Sequence, residues 1–208
     1  MITPLIKGDQ WKLITSNKIH LSPEPPFPNS TAYTIKINNG TTSIMNDSFT
    51  KEFLYSFTTT MIHIVQRYPS GGLQTISPVL FLAFDQTIEP KEIINVIKCE
   101  LGKSKKSHPL TMLSSNRAML EYPVIRPFIQ NSNDNKWLAL IPTKPFPYDT
   151  KVTITIGPNI PSAEGPVKSD IEDSFSFNTV PIFAVSSMFL FLLLNYPIPY
   201  LFFFFFRF

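Results

Sequence analysis

The sequence predicts an all-β protein built from an immunoglobulin-like β-sandwich: one complete domain preceded by a truncated copy and followed by an apolar tail. Three observations carry that prediction. The chain of 208 residues holds 20 Pro and only 7 Gly, about twice and half their usual shares, a pairing that disfavours helix. Short runs alternate apolar and polar residues with a period of two and are bounded by turn residues, as half-buried antiparallel strands require. One stretch also recurs. Pro26-Phe27-Pro28-Asn29-Ser30-Thr31-Ala32-Tyr33-Thr34-Ile35-Lys36-Ile37 matches Pro145-Phe146-Pro147-Tyr148-Asp149-Thr150-Lys151-Val152-Thr153-Ile154-Thr155-Ile156 at a constant offset of 119, apolar position on apolar position.

The repeat divides the chain into 1–71, a copy holding only the C-terminal half of the unit; 72–180, the complete unit; and the tail, 181–208. The match extends upstream, where Leu21-Ser22-Pro23 faces Leu140-Ile141-Pro142, and downstream, where Phe57-Thr58-Thr59 faces Phe177-Asn178-Thr179 after one inserted residue. Nothing in the first copy matches the stretch from Leu73 to about Asn135. A half-unit of that size holds little core and needs to pack on its neighbour.

In chain order, Phe53, Tyr55 and Phe57 alternate with polar neighbours and predict a strand with one packed face. Asn39-Gly40 reads as a turn. Val79 to Phe84 is a nearly continuous apolar run, consistent with a strand buried in a sandwich core. Glu89-Pro90-Lys91-Glu92 reads as one helical turn with proline near its start, carrying the chain between sheets. Ile97 to Leu101, Ala118 to Tyr122 and Trp137 to Ile141 are short predicted strands. Val152, Ile154 and Ile156, then Phe175 and Phe177, supply the inward faces of the last two, with Pro145, Pro147, Pro158 and Pro161 outside the ladder.

Composition narrows the function classes. A hydrophobic fraction of 43% with 16% charged residues argues for a folded chain. The net charge of +3 and the absence of a long basic stripe predict no nucleic-acid partner. Met1 to Gln10 has no apolar run after a basic start, so no signal peptide is predicted. The single cysteine, Cys99, excludes an internal disulfide and a four-cysteine zinc site. It alternates with Ile97 and Leu101 and reads as a buried apolar residue.

Candidate chemistry fails residue by residue. Gly102-Lys103-Ser104 ends like a phosphate loop, but Ile97 stands where its first glycine belongs. Asn131-Ser132-Asn133-Asp134-Asn135 offers alternate oxygens, yet Lys136 occupies the place of a calcium loop's glycine. His20, His63 and His108 lack metal-pair spacing and read as surface or edge residues. No Gly-x-Ser-x-Gly elbow occurs. Sequons at Asn29, Asn39 and Asn46 are of a kind that arises by chance in a chain rich in Asn, Ser and Thr. The sequence therefore predicts no catalytic, cofactor-binding or metal residues and no cofactor. No enzyme is predicted, and the expected partner is another protein.

Four runs carry a family resemblance: Ser77-Pro78-Val79-Leu80-Phe81-Leu82-Ala83-Phe84-Asp85-Gln86-Thr87-Ile88-Glu89-Pro90; Pro142-Thr143-Lys144-Pro145-Phe146-Pro147-Tyr148-Asp149-Thr150; Ile156-Gly157-Pro158-Asn159-Ile160-Pro161-Ser162-Ala163-Glu164-Gly165-Pro166; and Phe175-Ser176-Phe177-Asn178-Thr179. Over Gln74 to Thr179 the chain resembles the Ig-like domains of bacterial-type alpha-2-macroglobulins, and the Pro-Ser-Ala-Glu-Gly-Pro loop is the most specific piece. The resemblance implies a non-catalytic scaffold fragment of a protein that traps endopeptidases, with proteases as partners of the full-length molecule. The family's thioester needs a Gln three residues after its Cys, and Cys99 is followed by Glu100-Leu101-Gly102, so that chemistry is not carried over. The alternatives are a spacer or adhesion module of a cell-surface protein and an inactive truncated product. The compartment stays open: extracellular or membrane-associated if the full-length protein is secreted.

The tail from Phe183 to Phe206 carries no charge and ends in five phenylalanines, Phe202 to Phe206. As a helix its 24 residues would reach about 36 Å, enough for the hydrocarbon layer of a membrane, but Asn195, Pro197 and Pro199 interrupt it. A membrane anchor, a gene model running into non-coding sequence, and an interfacial or aggregation-prone segment are the three readings it allows.

Overall fold

The computed structural model of the protein describes residues 1–5, 9–15, 18–43, 46–103, 105–182, 184–192 and 200–207, with backbone alone at 9, 10, 13 and the last two stretches. The first copy opens with β1 (Ile2–Thr3), β2 (Asp9–Thr15), β3 (Lys18–Pro23), β4 (Ala32–Ile37) and β5 (Phe53–Thr58). They form two small antiparallel sheets, β1-β4-β5 and β2-β3. Between the sheets Ile2 and Tyr33 are buried, with Leu21, Phe27, Ile35 and Phe57 packed against them. Phe27 meets the Tyr33 ring edge-on at 4.9 Å, the arrangement the ring quadrupoles favour.

The second copy follows with β6 (Ile64–Tyr68), β7 (Leu73–Gln74), β8 (Leu80–Phe84), α1 (Pro90–Ile93), β9 (Ile97–Leu101), β10 (Lys106–Ser107), β11 (Leu110–Met112), α2 (Ser115–Glu121), α3 (Arg126–Gln130), β12 (Trp137–Pro142), β13 (Lys151–Ile156) and β14 (Asp173–Thr179). Its strands make a β-sandwich. One sheet runs β11-β12-β8-β6 and the other β10-β9-β13-β14-β7, and α1 makes the crossing between them as its proline-led turn suggests. Leu80, Leu82, Phe84, Leu138 and Leu140 from one sheet interdigitate with Cys99, Val152, Ile154, Ile156, Phe175 and Phe177 from the other. Each fully buried aliphatic or aromatic side chain there contributes roughly 1.5–3 kcal/mol.

β8 and β12 read as continuous apolar runs because both of their faces are covered. Phe81, Ala83, Trp137 and Ala139 point away from the other sheet into a second cluster with Ala118, Ile125 and Ile129 of the helical segment. Phe81 stacks on Trp137 at 5.7 Å and on Phe128 at 5.8 Å. The predicted strand Ala118 to Tyr122 is therefore corrected: these residues lie in and just after α2. Ser114 caps that helix by accepting from the Arg117 amide at 3.4 Å, and Arg117 holds Glu121 one turn on at 2.9 Å. Caps and i,i+4 pairs outweigh the period-two pattern that Ala118, Leu120 and Tyr122 happen to show.

The two copies superpose in hydrogen-bond detail. β4 and β5 pair Ala32 with Thr58 and Tyr33 with Phe57; β13 and β14 pair Lys151 with Asn178 and Val152 with Phe177. Thr59 Oγ1 donates to the Pro28 carbonyl at 2.8 Å and accepts from the Thr31 amide at 3.0 Å. Thr179 Oγ1 repeats both bonds, to Pro147 at 2.7 Å and from Thr150 at 2.9 Å. Ser30 and Asp149 share a left-handed backbone with φ of 49° and 47°.

The likeness reaches further than the matched sequence. β1 lies on β4 as β9 lies on β13, and β2 lies on β3 as β11 lies on β12, so the first copy holds more than its C-terminal half. β6, which precedes residue 71, pairs with β8 in the second copy's sheet. The packed face expected for Phe53 and Tyr55 is also corrected, since both are exposed: no described strand of the first copy takes the place of β8 or β6 to cover them.

The tail holds β15 (Ala184–Leu192) and β16 (Tyr200–Arg207), paired antiparallel with one another. These stretches are extended, and no helix among the described residues is long and apolar enough to cross a membrane. Asn195, Pro197 and Pro199, on which the interruption of a helix was argued, lie outside the described residues.

Candidate functional site: the junction between the two copies

Of the buried polar residues described, Ser30, Thr31 and Gln86 gather where the first copy meets the second. Gln86, on the turn that leaves β8, is 1% exposed. Its Oε1 accepts from Ser30 Oγ and from Ser162 Oγ, both at 2.8 Å, and its Nε2 donates to the Thr60 carbonyl at 2.8 Å. One amide thus ties the end of the first copy, the linker between copies and the 161–166 loop of the second. The Thr60 carbonyl also accepts from the Ser30 amide at 2.9 Å. Oε1 keeps one donor if either serine is lost, whereas Nε2 deprived of the Thr60 carbonyl becomes an unsatisfied buried donor costing about 1–3 kcal/mol.

The Pro-Ser-Ala-Glu-Gly-Pro run forms the second half of the contact. Glu164 accepts from the Thr87 amide through Oε1 at 2.7 Å and from Asn29 Nδ2 through Oε2 at 2.8 Å. Burial opposes its charge, but the Thr87 and Asn29 donors and the Lys136 ammonium together hold the carboxyl below its ordinary pKa. Gly165 lies flat on the first copy. A Cβ there would overlap the carbonyl oxygens of Asn29 and Ser30 and Thr31 Oγ1, so this glycine serves close backbone approach. Val167 donates its amide to the Ser30 carbonyl at 2.7 Å and Ala163 to Thr87 at 2.9 Å, locking the loop to both sides.

A small cleft of about 180 Å³ opens beside the linker, lined by Ile62, His63, Ile64, Ile160, Ile171, Glu172 and Asp173. Two of its polar residues, His63 and Asp173, are engaged in structural bonds. Asp85 binds the His63 amide at 2.8 Å with the imidazole 3.7 Å away, and Arg67 grips Asp173 through bonds of 2.7 and 2.9 Å while lying over the Phe175 ring.

The residues weighed as candidate chemistry stay apart. Cys99 is buried on β9, and burial followed by the Glu100 charge pushes its thiol up to about 12, the opposite of an activated nucleophile. Gly102 and Lys103 form a turn at the end of β9, and Ser104 lies outside the described residues. Asn135 offers its carbonyl to the Ile88 amide at 2.8 Å and Lys136 Nζ donates to the Asp85 carbonyl at 2.7 Å, so the Asn131–Asn135 stretch works as a turn. His20 is exposed, and His108 lies against Phe146 and contacts the Lys144 carbonyl. Among the described residues no three His, Cys, Asp or Glu side chains converge to hold a metal ion.

Sequence reasoning missed the junction. Ser30, Gln86 and Glu164 are ordinary polar residues far apart in the chain. The usable signal was a difference between copies: Asn29-Ser30 becomes Tyr148-Asp149 at the very pole where the first copy docks.

No family model matches the chain. Among curated proteins the chain is similar to the circularly permutated Ras protein 2 of Dictyostelium discoideum, 26% identical over 155 residues that cover 71% of this chain and 4% of that protein. The chain thus spans a small fraction of its relative's length. Among solved structures, an LD transpeptidase, LdtMt1 in complex with imipenem, aligns over 57% of this chain and 40% of its own with 8% identity and a TM-score of 0.32, too distant to carry an argument.

Proposed function

We propose that the chain is a non-catalytic scaffold made of Ig-like modules in tandem, whose work is to hold neighbouring modules at a set orientation. The observation that carries this reading is the Gln86 node, a buried amide whose three partners come from the first copy, the linker and the second copy. A flexible spacer needs no such bonds, because a linker without them leaves its modules free to reorient. The match to 4% of a much longer relative suits a piece of a long modular polypeptide. That relative's name speaks of Ras; in this chain Gly102-Lys103-Ser104 has no glycine-rich turn before it to cradle a phosphate.

The resemblance of the 77–90, 142–150, 156–166 and 175–179 runs to bacterial-type alpha-2-macroglobulins supports a protease-trapping protein as the class in which such a scaffold would serve, with proteases touching the whole molecule and not these modules. A cell-surface spacer is the competing class. Flanking genomic sequence separates them: a bait segment and a Cys-x-x-Gln pair downstream favour the trap, and further sandwich repeats without them favour the spacer.

The scaffold role itself is tested by residual dipolar couplings on the full chain. Both copies should report one alignment tensor, and Gln86→Ala should split it into two. Two independent tensors in the unaltered protein would end the scaffold reading.

A further inference from the structure

The cleft beside the linker combines apolar walls with a carboxylate that the described residues leave unpaired. Ile62, Ile64, Ile160 and Ile171 form the walls, and Ile171 keeps 44% of its surface exposed. Of the polar lining, His63 gives its amide to Asp85 and Asp173 is held by Arg67. Glu172 is exposed and makes no hydrogen bond or ion pair with the described residues. At about 180 Å³ the cleft is smaller than the roughly 300–1,000 Å³ of a pocket that encloses a whole small molecule. It has the room of one side chain.

The charge around the cleft selects that side chain. Asp170, Glu172 and Asp173 lie together on the segment entering β14, and Asp85 stands 3.7 Å from the His63 imidazole. Arg67 is committed to Asp173 and to the Phe175 ring, so Glu172 keeps its charge uncompensated. A neutral apolar side chain would desolvate Glu172 without a bond in return, and an acidic one would meet like charge. A lysine or arginine lays its methylene stem on the isoleucines and sets its charged head on the carboxylate.

The neighbouring strand indicates what carries this side chain. Ile64 is both a wall of the cleft and the first residue of β6, and β6 is the last strand of its sheet. The outer side of such a strand offers main-chain N–H and C=O groups to another chain. Val65, set off from the ladder by the irregularity between Ile64 and Gln66, is 63% exposed and adds an apolar contact there.

We propose that this cleft docks an extended segment of a partner protein that carries a lysine or arginine, its main chain alongside β6 and its basic side chain in the cleft against Glu172. The inference goes beyond the scaffold role. It needs only the second copy and the linker residues Ile62 and His63, and its failure leaves that role standing.

The test titrates the full chain, followed by amide NMR, with a short capped peptide of alternating threonine and valine around one central lysine. The amides of Ile64, Ile171 and Glu172 should shift together to saturation, and a central arginine should act alike. Norleucine at the centre, which keeps the stem and loses the charge, or glutamate should weaken binding about tenfold or more. Glu172→Gln should weaken the lysine peptide by a similar factor, and Glu52→Gln in the first copy should leave it unchanged. Glu172→Lys should turn the preference to the glutamate peptide, which separates a lost charge contact from a damaged cleft. The absence of any saturable shift, shifts centred away from the cleft, a norleucine peptide that binds as well as the lysine one, or a Glu172→Lys protein that still prefers lysine would each overturn the proposal.

Discussion

Leu138 and Ile19 occupy the same position on the same strand in two copies of one module, and their surroundings differ completely. Leu138 is 3% exposed, between β11, β8 and the opposite sheet; Ile19 is 65% exposed. Phe175 and Tyr55 make a second such pair, at 8% and 55%. In both pairs the strand forms, the register holds and the side chain points to the same side. Local pattern and turn bonds therefore suffice to set strand and register, as the shared threonine bonds of Thr59 and Thr179 show, whereas burial depends on which neighbouring strands are present. The first copy keeps its shape through Ile2, Tyr33 and Phe27 at one end of its sheets and through the junction at its pole.

The widest separation between the copies should come from truncating that pair. Leu138→Ala should cost the second copy about 2–5 kcal/mol through lost burial and a residual cavity, read as a lowered midpoint in denaturant. Ile19→Ala should change stability by less than about 0.5 kcal/mol. Equal losses would mean that Ile19 is covered in solution by something outside the described contacts.

Next in size is Gly165→Ala. Its methyl group meets backbone carbonyls of the first copy and not flexible side-chain ends, so the 161–166 loop or the whole first copy has to shift, at about 1–3 kcal/mol. Hydrogen exchange locates the loss: amides of β4 and β5 should lose protection while those of β13 and β14 keep theirs. Uniform loss in both copies would show that the loop supports the second core instead of the junction.

The parts of this architecture that were legible in the sequence rest on local periodicity. β9, β13 and β14 follow from alternation, β8 from a continuous apolar run between turn residues, the turn of α1 from its proline and the burial of Cys99 from its place between Ile97 and Leu101, all signals that act within a few residues. What was not legible depends on distant partners. α2 was mistaken for a strand because three apolar residues at period two outweighed a serine cap and a charged i,i+4 pair that are visible in Ser114, Arg117 and Glu121. The counterparts of β9 and β11 in the first copy escaped because a two-residue strand such as β1 carries no pattern of its own. The junction escaped for a different reason: Gln86 has three partners spread from Ser30 to Ser162, and only the folded chain makes them neighbours.

Alkali should distinguish the copies where cavity and contact do not. Cys99 faces Ile154, and its counterpart Ile2 faces Ile35, so only the second copy carries an ionisable group at this place. With the thiol raised from 9.0 to about 12 by burial, the folded state favours the protonated form. The resulting stability is fully present below pH 9 and falls as pH rises through the folded value, by up to about 1.4 kcal/mol per unit across that window. Melts at pH 8 and pH 10.5 should show the second copy weakening, and Cys99→Ala should flatten the dependence. A thiol reagent that labels Cys99 as fast in native as in denatured protein would refute its burial.

The smallest effect tests the junction from the acid side. Glu164 has a lowered pKa in the folded chain, so its contribution is present above the ordinary carboxyl value and is lost as pH falls through the folded one. Because the side chain is partly open to solvent, the change should stay below about 1 kcal/mol, too small for a melt and suited to NMR. The Asn29 side-chain amide and the Thr87 backbone amide should shift together with one midpoint as the carboxylate protonates, since both donate to it. Glu164→Gln should abolish the midpoint in both signals. Should Asn29 titrate without Thr87, or continue to titrate in the Gln variant, then the carboxylate is not the group that joins the first copy to the second, and the contact rests on Gln86 and Gly165 alone.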